Sequence, residues 1–309
     1  MDRYPKYLRY GNAEKHPSVL DQNFPVIGDE PLAGKRFYPR IRALERYFEN
    51  EEQSVRFGAA AFCGFLHDTI AVEHNLVIPA IASLQYLPFR IPERPMEDLF
   101  LLVADEGHHA AQAVTFLNSI AERFSFEYQE TRGALPLFLS RLNDINSKLD
   151  SPSHVNVSNV VAGVVTETRV SVELGEFSRN CDLVDQVRDT CRSHQDDEVV
   201  HASQFRALGA WMWAAIPDET RDLVCQLFAK VLIARSLPDV GRMAFFLEQV
   251  TSIAKERCRE IVRDIYTPEL LEAEVLQAAK PTLRYLDAVG IANTPNFQKA
   301  YRGFDYGTA

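Results

Sequence analysis

Glycine, paired cysteine and positive charge are all in short supply in this chain. Only 14 of its 309 residues are glycine, and none stands in a GxGxxG or GxxxxGK(S/T) setting, which excludes a backbone cradle for nucleotide phosphates. A GxSxG nucleophile turn is also missing. The five cysteines, Cys63, Cys181, Cys191, Cys225 and Cys258, are an odd number with no CxxC pair. That argues against a disulfide frame or a thiolate zinc site. Lys and Arg total 33 against 43 Asp and Glu, a net charge of −10, so the long-range field repels phosphate backbones and anionic lipid. Neither nucleic acid nor membrane is an expected partner. The opening residues carry no apolar signal-like stretch, and no run of about 18 apolar residues is read anywhere; the expectation is a soluble, cytoplasmic protein. What remains to carry chemistry is carboxylate and imidazole.

What is present is a globular composition, 46% hydrophobic and 25% charged, which rules out disorder. Residues 1–40 hold Pro5, Pro17, Pro25, Pro31 and Pro39 with little periodicity and read as an extended arm laid over the body. From there apolar residues recur at three and four, so the expected fold is all-α, one domain over 1–309. Helices are placed near 40–50, 53–83, 96–124, 135–149, 153–179, 183–213, 218–236, 241–265 and 268–289. The breaks coincide with Pro92, Pro95, Pro152, Pro217, Pro238 and Pro268. The longest helices are apolar on most sides, as central bundle helices are, and yet they carry mid-helix glutamates. An ionised carboxylate there must be paired, protonated or bound to a cation.

Two Glu-x-x-His motifs occur. Ala-Asp-Glu-Gly-His-His puts Glu106 and His109 on one helix face at i and i+3. In His-Gln-Asp-Asp-Glu-Val-Val-His, the side chains of His194, Glu198 and His201 fall at about 0°, 40° and −20° on the helical wheel, one narrow stripe. A single Glu-x-x-His is weak evidence. The weight comes from agreement: Glu73 lies 33 residues before Glu106, and Glu167 lies 31 before Glu198, each mid-helix in an apolar setting. Glu73 is preferred over its neighbours His67, Asp68 and His74 because it keeps the two halves alike. Glu167 and Arg169 stand about 200° apart on a helix and cannot simply pair. The order Glu, ExxH, Glu, ExxH is the one in which ferritin-like bundles hold two metal ions.

Charge supports this reading, because four carboxylates balance two divalent cations. Mixed imidazole and carboxylate donors suit iron or manganese better than structural zinc, and iron is the expectation. Asp105 and Asp197 each precede a motif glutamate, placed to accept the second ring N–H of a histidine on a neighbouring helix. His108 lies off the stripe, and Trp211, Trp213 and the Met-Ala-Phe-Phe-Leu-Glu segment read as core. Arg235, Arg242 and Tyr266 are candidates to face a substrate carboxylate, although no substrate site follows from spacing.

The motif residues together resemble the AurF-type di-iron N-oxygenases, the p-aminobenzoate N-oxygenase group within the ferritin-like superfamily. The similarity spans roughly residues 50 to 210, and the specific part is the additional histidine of His-x-x-x-Glu-x-x-His, which His194 supplies. The resemblance implies that Glu73, Glu106, His109, Glu167, His194, Glu198 and His201 hold two iron ions (Fe2+/Fe3+). It also implies that O2 oxidises the amino group of a small molecule to an N-hydroxy, nitroso or nitro product. The implied substrate is an aryl amine or an amino acid, free or tethered to a carrier protein. Electrons would come from an external donor, since the chain has no flavin, nicotinamide or iron–sulfur signature. A homodimer is among the assemblies to expect. The competing readings are another di-iron hydroxylase, a radical-generating reductase subunit and an iron-binding ferritin. Against the second, no tyrosine stands one turn after His109. Against the third, about 100 residues follow the last motif.

Overall fold

The computed structural model describes residues 24–28, 32, 34–39, 43–89, 93–126 and 135–308; side chains of 93–97 are outside the description. Apart from an isolated parallel bridge between Arg36 and Leu183, all regular structure among the described residues is helical. The all-α expectation therefore holds. The helices are α1 Glu51–Val72, α2 Ile78–Ser83, α3 Glu93–Phe124, α4 Leu137–Asn146, α5 Pro152–Ser178, α6 Asp185–Ala215, α7 Asp218–Ser236, α8 Val240–Val250, α9 Lys255–Ile265, α10 Pro268–Ala288 and α11 Pro295–Arg302. A π-helical segment, Glu73–Val77, joins α1 to α2 without a break.

Several prolines begin helices rather than merely ending them. Pro152, Pro268 and Pro295 occupy the first turns of α5, α10 and α11, where no intrahelical donor is lost. Ser151, Thr267 and Thr294 cap these three ends by accepting from the backbone N–H three residues on. Asn50 does the same for α1, accepting from Gln53, while Gln53 accepts from the Glu49 N–H.

Capping also explains one correction. The helix expected over 40–50 is only a 3-10 turn, Glu45–Tyr47, among the described residues. Phe48 is extended and Asn50 starts α1 instead. The helix expected over 241–265 is two helices. Thr251 is extended, its hydroxyl donates to the Leu247 carbonyl at 2.7 Å and accepts from the Ile253 N–H at 3.3 Å, so local side-chain bonds replace the helical ladder. The helix α11 was not anticipated, although Thr294-Pro295 carries its start signal.

The continuous helix 51–83, α3, α5 and α6 form the bundle. Among them α5 and α6 have the most extensive contact, and α1 lies along α3. At Gly163 a Cβ would stand 2.8 Å from the Phe205 ring and 2.9 Å from the Ala80 Cβ, so this glycine permits the close approach of α5 to α6 and α2. The C-terminal helices clad one side: α7 lies on α5, α11 on α7, α10 on both α5 and α7, and α8 on α1. Of the arm expected over 1–40, residues 1–23 lie outside the described residues. The segment 34–39 is pinned to the α5–α6 turn: Arg36 N–H donates to the Asp182 carbonyl at 2.9 Å and its carbonyl accepts from Val184 N–H at 2.8 Å. Phe37 is fully buried beneath it.

The stretch Glu51–Tyr86 is long and apolar enough to cross a membrane by length and composition, which corrects the reading that no such run exists. In its most apolar window 61% is buried inside the protein, the signature of a core helix.

Candidate metal centre

Two apolar clusters stack along the bundle, and a polar layer separates them. One cluster takes Ala71 and Val72 from α1, Leu102 from α3, Val165 from α5 and Phe205 from α6. The other takes Leu66, Ala113, Leu174 and Cys191 from the same four helices. Between them stand Glu73, Glu106, His109, Glu167, His194, Glu198 and His201, each at most 6% exposed. A layer of this kind cannot be water-solvated, so its charges must be met from within or by a bound cation.

Local structure aims each group. Glu73 opens the π segment, in which the Ile78 N–H reaches back five residues to the Glu73 carbonyl. The residue thereby gained rotates the helix below it, a deviation that concentrates at functional sites. Glu106 and His109 share one face of α3, and Glu167 projects from the middle of α5. On α6, His194, Glu198 and His201 form the narrow stripe that helical spacing demands.

The seven side chains meet. His194 Nε2 lies 2.9 Å from Glu198 Oε1 and 3.8 Å from Glu73 Oε1. His109 Nδ1 lies 3.3 Å from Glu106 Oε2 and 3.4 Å from Glu198 Oε1. His201 Nδ1 lies 3.1 Å from Glu106 Oε1, 3.5 Å from Glu198 Oε1 and 3.9 Å from Glu167 Oε2. Glu106 and Glu198 therefore occupy the middle, each touching His109 and His201, while Glu73 and Glu167 flank them. Three sets of donor atoms lie mutually within 4.8 Å: Glu73, His109, His194 and Glu198; Glu106, His109, Glu198 and His201; and Glu73, Glu106 and Glu167.

The outward ring nitrogens are held as well. His109 Nε2 faces Asp197 Oδ2 at 3.5 Å, and His201 Nε2 faces Asp105 Oδ2 at 3.3 Å. A carboxylate accepting the Nε2–H leaves the Nδ1 lone pair directed into the centre, the tautomer a metal ligand requires. Five inward atoms, Glu73 Oε2, Glu106 Oε1, Glu167 Oε2, Glu198 Oε2 and His201 Nδ1, are buried without a hydrogen-bond partner among the described residues. Such a concentration of orphaned electron-pair donors could hold metal ions.

The electrostatics of the bare cluster show the strain. Burial, then the charges of Glu106 and Glu198, push the Glu73 carboxyl well up; burial and the charges of Glu198 and Glu106 do the same to Glu167. Burial opposes charge on Glu106 also, but the nearby His201 and a hydrogen bond from His109 outweigh it and hold the carboxyl down at about 2. Glu198 is held well below the ordinary range in the same manner, against its burial. His109 and His201 are pushed up despite burial, by their carboxylate partners, whereas burial and the nearby His109 lower His194.

Every residue singled out from the sequence as a donor thus lies in one buried cluster, with Asp105 and Asp197 behind two of its histidines. His194 stands with Glu73 and His109, not with Glu167. The rivals of Glu73 are elsewhere: His74 is exposed and His67 lies 4.0 Å from Asp68. His108 faces Phe24, with ring centroids 5.7 Å apart. Spacing did not single out Thr69, Gln112 and Thr190, which with His109, His194 and Cys191 line a cavity of about 10 Å³ at the edge of the centre. Each lies three or four residues from a donor on its own helix, and that spacing was the available signal. A larger cleft of about 580 Å³ is lined by Arg235, Arg242 and Tyr266 among others. Trp211 and Trp213 pack against the apolar core, and Met243 and Phe246 contribute both to core and to the cleft wall.

The fold and this layer define an all-α helical bundle whose buried histidine and glutamate side chains can hold metal. Compared with protein-family models and with curated proteins, the chain matches none.

Proposed function

We propose that this chain is a non-haem di-iron oxygenase that uses O2 to oxidise the amino group of a small molecule. The observation that carries the reading is the buried convergence of four carboxylates and three inward imidazole nitrogens, several of them orphaned. A seventh donor, His194, separates this set from the six-donor pattern of ferritin-like bundles, and it is the feature shared with the N-oxygenase group that the motifs resemble. Mixed carboxylate and imidazole donors suit iron.

Bound here, a pair of irons would supply the electrons and open positions for reductive activation of O2. The protein's own share is positional. Glu106 and Glu198 would hold metal from the middle of the donor set, Glu73 and Glu167 from its flanks, and Asp105 and Asp197 orient His201 and His109. The apolar clusters above and below exclude water. The cavity beside His109 and His194 has room for about one small molecule the size of water. None of the five cysteines forms a disulfide; this suits a reducing cytoplasm, where an external reductase supplies electrons.

The test is anaerobic loading with Fe(II), followed by oxygen and a mass-spectrometric screen of aryl amines and amino acids, free and carrier-bound. The expected result is close to two irons per chain and a product with oxygen added at nitrogen. Two irons with no amine oxidised by any member of the screen would retain the metal centre and overturn the N-oxygenase assignment.

A further inference from the structure

The cleft of about 580 Å³ lies between the bundle and its C-terminal cladding, and none of the seven donors lines it. Its walls come from α1, α5, the end of α7, α8 and α10. Charged side chains dominate its chemistry. On one side Arg169 and Arg235 converge on a single carboxylate oxygen, Glu173 Oε2, at 3.7 and 3.5 Å. Both distances are long for a charge-assisted hydrogen bond. Arg169 also donates to the Arg235 carbonyl. The Arg235 guanidinium lies 5.5 Å from the Phe138 ring centroid, and its Nε is buried without a hydrogen-bond partner among the described residues. On the other side Arg242 sits between Asp68 at 2.6 Å and Asp239 at 3.4 Å. Glu176 and Glu274 complete the charged lining.

Three guanidiniums therefore face five carboxylates. A ligand carrying only negative charge would meet an acidic surplus, and one carrying only positive charge would leave the buried Arg235 Nε without an acceptor. A ligand bearing both a carboxylate and an ammonium matches both sides. One wall residue links this cleft to the metal centre: Phe65 lines it and also lines the small cavity that touches His109 and His194. Its ring stacks on Phe177 at 4.9 Å between centroids.

We infer that the cleft binds a free zwitterionic α-amino acid, its carboxylate on Arg235 and Arg169 and its ammonium toward the Asp68 and Asp239 side. This deepens the N-oxygenase reading by naming the substrate class. It rests on that reading only for the fate of the amine, not for binding. Aryl amines with a carboxylate, whose nitrogen is uncharged at neutral pH, leave the acidic side unmatched and rank below.

Calorimetric titration of the full chain tests this without turnover, in metal-free and metal-loaded protein. The probes are the common proteinogenic amino acids, 4-aminobenzoate, isovalerate and isobutylamine. The expected result is that at least one amino acid binds, about tenfold or more tighter than the probes lacking either charge, because each missing ion leaves one side of the cleft unmatched. Arg235→Gln should weaken that binding by about tenfold or more while the metal content is unchanged, and Arg235→Lys should recover part of it, which separates charge recognition from a folding defect. Equal or tighter binding of 4-aminobenzoate or isovalerate overturns the inference. So does the absence of binding by every amino acid, or binding indifferent to Arg235→Gln. A failure of metal loading instead counts against the functional reading alone, because amino-acid binding is read independently of iron.

Discussion

Loading the centre with metal should expel protons, and the number follows from the cluster itself. Without metal, Glu106 and Glu198 are held as anions while His109 and His201 are pushed up toward the cation. Glu73 and Glu167 are pushed up toward the neutral acid, and His194 down toward the neutral ring. These shifts move the bare cluster toward two anions against two cations among its seven donors. Two divalent cations on four carboxylates and three neutral imidazoles are also balanced. Passing from one to the other removes protons from Glu73, Glu167, His109 and His201, so loading should release up to about four protons, or about two per cation. The apparent affinity of each cation should then rise by up to about 100-fold per pH unit while those groups remain protonated. Anaerobic calorimetry with Fe(II) or Mn(II) in two buffers of different ionisation enthalpy reads the release directly, and repetition at several pH values reads the slope. Two cations bound with no proton released, and an affinity indifferent to pH, would refute this account of the bare cluster.

The same shifts set the stability of the metal-free chain. Glu106 and Glu198 are depressed, so their contribution is present above the ordinary carboxylate value of about 4.3 and is lost as pH falls through the folded value, about 2 for Glu106. His109 and His201 are raised, so theirs is full below about 6.5 and lost as pH rises through the folded values, while Glu73 and Glu167 add a growing penalty above about 4.3. Chemical denaturation should show the metal-free protein losing stability from mildly acidic to alkaline pH, and saturating metal should reverse that trend. His194→Ala should keep the fold and the second motif's metal but impair amine oxidation; unchanged turnover would remove His194 from the donor set. Asp197→Asn should weaken metal affinity by about 10–100-fold through the orientation of His109, with the helical circular-dichroism spectrum unchanged. Gly163→Ala, which places a Cβ 2.8 Å from the Phe205 ring, should cost about 1–3 kcal/mol in a denaturant titration.

Helical geometry is local, and what depended on it was legible in the sequence. The stripe of His194, Glu198 and His201, the Glu106 and His109 face, and the mid-helix burial of Glu73 and Glu167 all follow from 3.6 residues per turn and an apolar setting. So do the starts of α5 and α10, through the Ser151 and Thr267 caps and first-turn prolines. Errors arose where local side-chain bonds competed with the ladder, at Asn50 and Thr251, because periodicity does not register a cap in the middle of an otherwise helical pattern. The relative rotation and register of helices were beyond reach, since these come from packing between residues far apart in the chain. Tertiary structure alone decided that Asp105 serves His201 and Asp197 serves His109, and that His194 joins Glu73. It alone set Arg235, Arg242 and Tyr266 around one cleft, with Phe65 shared between that cleft and the small cavity at the centre. Composition and spacing chose the donor atoms; the interlocking of α5, α6 and their neighbours chose which of them meet.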